Sequence, residues 1–340
     1  QISMTKADIR PMIDPFRRFA ARRPTLQLPA AAGYLAPLGV FCFAWIELVS
    51  DWSDEPRALG VLVCVYCAGS IVAGRVFGVD WFTRADPLGR MFELLSRMAP
   101  IKVRRNGITV QFPAAGLSVP KAPQTGEAAL VGVLIGVVLF DGLSETPAWK
   151  FVLDSIAESK TLRPGLLLLR DNGVDLLKML RSIGLISIVV MTILVWRVLA
   201  WSISRAAKTD IGASETAQIF AATLLPIAVA YHLAHYTSYL LIAGQLAIPA
   251  ASDPFAMGWD LLGTKGYSLD IGVITAGQVW WVAFGAMITG HCLSVAVGHR
   301  RALNVYADRR TAIRSQLPMA FAMIGLTVVS LWILSQPIVE

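Results

Sequence analysis

Residues 214–245 read SETAQIFAATLLPIAVAYHLAHYTSYLLIAGQ. Past Glu215 the stretch has no Asp, Glu, Lys or Arg. It exceeds the roughly 20 mostly apolar residues that a helix needs to cross a bilayer. It is therefore predicted to be a transmembrane helix. It is an odd one, because His232 and His235 lie in its middle among tyrosines.

The rest of the chain fits that reading. Hydrophobic residues make up 55% and charged residues only 16% of the 340, which places the chain among integral membrane proteins. The net charge of +7 does not point to nucleic acid. The cations lie in loops between apolar runs, and no soluble face combining basic and aromatic residues is visible. Residues 1–28 lack the continuous apolar core of a signal peptide.

Seven segments are long and apolar enough to span: 30–50, 57–78, 127–147, 183–204, 214–245, 271–298 and 317–336. The expected fold class is all-α, a polytopic transmembrane bundle forming one domain over 1–340. Basic residues set its orientation. With the amino end inside, the inner segments hold Lys6, Arg10, Arg17, Arg18, Arg22 and Arg23, then Arg84, Arg90, Arg97, Lys102, Arg104, Arg105 and Lys121. Arg205, Lys208, Arg300, Arg301, Arg309, Arg310 and Arg314 join them. The outer segments hold fewer: Arg57, Lys150, Lys160, Arg163, Arg170, Lys178, Arg181 and Lys265. The excess predicts a cytoplasmic amino end in a bacterial inner membrane.

Two loops are long. In the cytoplasmic loop 79–126, Leu88, Met91, Phe92, Leu95 and Met98 share helical spacing, which predicts an interfacial amphipathic helix. IKVRRNGITVQF then reads as a hairpin turning at Asn106-Gly107. The outward-facing loop 148–182 holds two amphipathic stretches broken at Arg163-Pro164-Gly165. Cys64 and Cys67 lie on a span without polar or basic neighbours. They are read as small residues at a helix contact rather than as a redox pair.

Ionisable groups inside a bilayer are functional candidates. His232 and His235 fall in the outer half of the fifth span and share a face. Asp141 lies in the outer half of the third span, roughly 7 Å from its centre. Gln278 and Glu47 fall in the outer halves of the sixth and first spans. Five polar groups from four helices are thus expected at one depth. Two imidazoles and a carboxylate suit a divalent metal, zinc first, with His232, His235 and Asp141 as ligands. A His/Asp proton relay and plain interhelical hydrogen bonding remain open beside it. One haem between His232 and His291 is excluded by a depth offset of roughly 12 Å. His299, beside Arg300 and Arg301, reads as a membrane-interface residue. Asp253 and Asp260, in the loop after the fifth span, are candidates either for a lid over this layer or for loop caps.

Several stretches together resemble a family of bacterial multi-spanning membrane proteins labelled fenitrothion hydrolase: VDWFTRADPLGRMFELLSRMAPI (79–101), FDGLSETPAW (140–149), HLAHYTSYLLIAGQ (232–245), SDPFAMGWDLLGT (252–264) and GHCLSVAVGHRRAL (290–303). The resemblance runs from about residue 70 to the carboxyl end. Members carry a further amino-terminal apolar segment, so the chain is expected to begin after it. The resemblance implies hydrolysis at a phosphoryl or acyl centre, with Glu145 or Asp260 as base. A proton-coupled transporter and a non-catalytic subunit of a larger membrane complex or homo-oligomer are the alternatives. Seven spans without a visible repeat argue against the transporter.

Overall fold

A computed structural model describes residues 25–104, 107–119, 121, 124–253 and 257–336. The amino-terminal cations Lys6 to Arg23, as well as Arg105, Asn106 and Pro254, lie outside the described residues. Seven helical segments are long and apolar enough to cross a membrane: Ala30–Leu48, Pro56–Phe77, Glu127–Ser144, Leu176–Ala207, Ala213–Ser252, Ala276–Val305 and Arg309–Ser335. The architecture is the expected all-α bundle.

The elements run α1 (Leu35–Leu48), α2 (Pro56–Phe77), α3 (Pro87–Ser96), the hairpin β1 (Ile101–Arg104) and β2 (Gly107–Val110), the short α4 (Ala115–Ser118), and α5 (Glu127–Ser144). Then come α6 (Pro147–Glu158), α7 (Arg163–Asp171), α8 (Leu176–Ala207), α9 (Ala213–Ala221), α10 (Leu225–Ile242), α11 (Ala247–Ser252), α12 (Ala276–Val305) and α13 (Arg309–Ser335). The fifth span is thus three helices joined by 3-10 turns. Pro226, in the first turn of α10, lacks the N–H that an unbroken helix would need there.

Helix ends differ from the sequence expectation where caps decide them. The fourth span begins at residue 176 because the Asp175 side chain accepts from Lys178 N–H. The second amphipathic stretch of 148–182 is therefore divided, part forming α7 and the rest opening α8. The sixth span starts at 276, where Thr275 and Gln278 form a reciprocal capping box. The expected inner loop 299–316 is mostly helix, since α12 continues to Val305 and Asp308 caps α13. Hydropathy marks only the part of a helix that lies in lipid, while hydrogen bonding carries it further.

Glycines set the close contacts. A Cβ on Gly290 of α12 would lie 2.3 Å from Ala230 Cβ and 2.8 Å from the Pro226 carbonyl oxygen of α10. Gly132 and Gly136 bring α5 onto Ile193 and Val189 of α8. Ser294 Oγ donates to the Thr223 carbonyl at 2.7 Å and fixes the register of α12 beside the fifth span. The buried core includes Leu130, Phe220, Leu225, Met319 and the inner face of α5.

In the loop 79–126, α3 packs by one face on the bundle: Leu94 is fully buried, Met91, Leu95 and Met98 pack on the core, and Phe92 stays exposed. Arg90, only 1% exposed, bonds Glu93 and Glu127 at 2.5 Å each. Arg97 reaches Glu127 at 3.1 Å, and Lys121 reaches Glu93 at 2.6 Å. Glu127, in the first turn of α5, draws the arginine face of α3 inward. The hairpin forms as expected, but its register pairs Arg104 with Gly107, so Gly107 belongs to the strand rather than the turn. Cys64 and Cys67 are exposed, not packed between helices. Gly74, against Phe82, is the buried residue of α2, and most of its other small side chains face outward.

Candidate metal centre

The site lies where α1, α5 and α10 end together. α5 carries Asp141 near its last turn and Glu145 as its C-cap, one turn apart. The Thr146 hydroxyl accepts from Trp149 N–H and starts α6 at Pro147, which turns the chain away and leaves Glu145 at the rim. α10 brings His235 and Tyr236 from the opposite wall.

His235 Nε2 lies 2.9 Å from Asp141 Oδ2. One ligand atom each from Asp141, Glu145 and His235 all fall within 4.8 Å of one another. Asp141 is buried, His235 half-buried and Glu145 exposed, so the cluster opens at one side. The Tyr236 hydroxyl lies 3.0 Å from Asp141 Oδ2 and 3.1 Å from Glu47 Oε1. It has one proton to donate and two carboxyl oxygens to serve. Among the described residues, no lysine or arginine pairs with Glu47, Asp141 or Glu145. Three carboxyl groups around one imidazole thus leave negative charge at the end of a membrane bundle, where a cation is the natural complement.

The expected layer is only partly assembled. Asp141, His235 and Glu47 come together as their depth suggested. Glu145, read from the resemblance as a base, lies in the same cluster as Asp141 and His235. His232 stands outside the three-group cluster. Its Nδ1 is engaged by the Ala228 carbonyl at 2.7 Å, and its ring stacks beside Tyr236 with centroids 6.0 Å apart. Gln278 serves as the cap of α12. Asp253 accepts from Met257 and Gly258 N–H at 2.8 and 2.7 Å, and so caps its own loop. Asp260 accepts from Ser252 Oγ at 2.8 Å and Lys265 N–H at 3.0 Å. Those bonds, the Ser252 one first, hold its carboxyl below the ordinary aspartate value and make it a poor base.

Sequence reading assigned no role to Tyr236, which links Glu47 to Asp141. Its position beside His235 was the available signal. His291 is buried, with Nδ1 on the Met287 carbonyl at 2.8 Å. The pairing of Ser294 with Thr223 sets antiparallel α12 level with the fifth span. His291 then lies about six residues, or about 9 Å, inward of His232. No family model matches the chain, and neither does a curated protein or a solved structure.

Proposed function

We propose that the chain is a membrane-embedded metal-dependent hydrolase whose site holds one divalent cation, zinc first, on Asp141, Glu145 and His235. The observation that carries this is the meeting of those three ligand atoms within 4.8 Å. The donor set fits: a neutral imidazole and two carboxylates are ordinary zinc ligands, and an open side leaves room for water and substrate. Bound there, such an ion supplies a water nucleophile at neutral pH for attack on a phosphoryl or acyl centre.

The chain's own residues do the rest. Tyr236 fixes the orientation of Asp141, as outer partners of metal ligands do. Glu47, across the Tyr236 hydroxyl, is the carboxylate placed to receive a proton from the site. The direct His235–Asp141 contact favours a second reading, a proton relay in a transporter. The excess of cations at the opposite end of the bundle supports an outward-facing site in the bacterial inner membrane, with the amino end cytoplasmic.

Turnover of chromogenic phosphoesters and carboxylesters by the purified protein tests the reading. Activity lost to chelator, restored by zinc and absent in Asp141→Asn and His235→Ala is expected. No turnover across the panel, together with proton-driven uptake in proteoliposomes, favours the relay.

A further inference from the structure

Tyr231 lies one turn before His235 on α10, so the two side chains share a helix face. It is 6% exposed, and among the described residues its buried hydroxyl has no hydrogen-bond partner. Gly142 of α5 gives it room: a Cβ there would lie 3.1 Å from the hydroxyl and 3.2 Å from Ile333 Cγ2. The phenol oxygen therefore lies against the α5 backbone, one residue on from Asp141.

Packing does not explain the oxygen. The ring sits among Val138, Ala234, Ala283 and Met287, where a phenylalanine would fit equally well. A buried hydroxyl left bare costs the loss of its hydration, and buried polar groups in folded proteins are nearly always bonded to protein or to an ordered water.

Asp141 holds the complement. His235 Nε2 and the Tyr236 hydroxyl both meet it at Oδ2, at 2.9 and 3.0 Å. Among the described residues, no hydrogen bond reaches Oδ1. A donor without an acceptor and an acceptor without a donor thus belong to neighbouring groups of one site. A water that accepts from Tyr231 and donates to Oδ1 satisfies both, and keeps its second lone pair and second hydrogen free.

We propose that Tyr231 is a positioning residue of this site, whose hydroxyl holds a water against Asp141 Oδ1 and sets the direction of its free lone pair. The hydroxyl donates and stays neutral throughout. The part this water takes in turnover rests on the hydrolase reading, whereas the water itself does not.

Tyr231→Phe in the full-length purified protein provides the test, because it keeps the ring and removes the oxygen alone. The melting temperature of the metal-free variant should fall by a few degrees, since the water loses a partner. With a chromogenic ester, kcat should fall about 10- to 100-fold while KM and bound zinc stay unchanged. A melting temperature equal to or above that of the wild type would show the hydroxyl to be bare and overturn the proposal. So would an unchanged kcat, or a loss of activity that follows a loss of zinc. A wild type with neither zinc nor turnover would sink the hydrolase reading and the role of Tyr231 in it, while a lowered melting temperature in the variant would still uphold the water.

Discussion

His232 and His235 are three residues apart on one helix, yet they have different neighbours. His235 faces Asp141 at 2.9 Å, while His232 turns its Nδ1 to a carbonyl of its own helix. A spacing of three leaves the two side chains about 60° apart around the helix axis, enough to give them different partners. Depth was legible in the sequence because it follows from counting along a span. Rotation was not, because it depends on how α5 and α10 face each other. That is why Asp141 and His235 were expected together, while the closeness of Glu145 to both was not read from the sequence. Tyr236→Phe tests the supporting role of the hydroxyl. It should weaken metal affinity about 10- to 100-fold while the fold persists, as titration with a fluorescent zinc chelator would read. Unchanged affinity would reduce Tyr236 to packing.

At the scale of elements, α3 is the instructive case. Its amphipathic pattern was plain, but an amphipathic helix can cover a membrane or a protein, and only its charges separate the two. Arg90 lies on the buried side of α3 and is neutralised by Glu127 across the bundle. Glu127→Ala would leave the buried Arg90 with Glu93 as its remaining carboxylate and take away the carboxylate of Arg97, and should lower stability by about 1–3 kcal/mol, read in a detergent unfolding titration. A change within experimental scatter would mean that the pair is solvated. The α10–α12 contact makes a paired prediction. Gly290→Ala meets Ala230 and the Pro226 carbonyl and should cost about 1–3 kcal/mol, whereas Gly325→Ala meets nothing within 4 Å and should not clash. The loop holding Asp260 is expected to respond to acid. Its carboxyl is depressed in the folded state, so its contribution is full above the unfolded aspartate value of about 3.9 and fades as pH falls through the lower folded value. Pepsin cleavage between residues 253 and 270 should therefore begin only below about pH 4. Cleavage already established at pH 5 would show that Asp260 does not hold the loop.

For the whole molecule, the bundle was legible almost completely, because length and hydropathy identify membrane spans directly. What was lost was the extension of helices beyond lipid, as in α8, α12 and α13, where capping by Asp175, Thr275 and Asp308 sets the ends. Orientation rests on the cation asymmetry alone. A cysteine introduced at Lys265, in a background with the four native cysteines replaced by alanine, should react with an impermeant maleimide on intact cells, and one at Ile108 only after permeabilisation. The reverse pattern would turn the site to the cytoplasm.

The central claim is that Asp141, Glu145 and His235 hold a metal. Elemental analysis of the purified protein tests it most directly. The account predicts about one divalent ion per chain, lost in Asp141→Asn and His235→Ala and retained in His232→Ala. Negligible metal in the wild-type protein, or equal metal in wild type and His235→Ala, would contradict it.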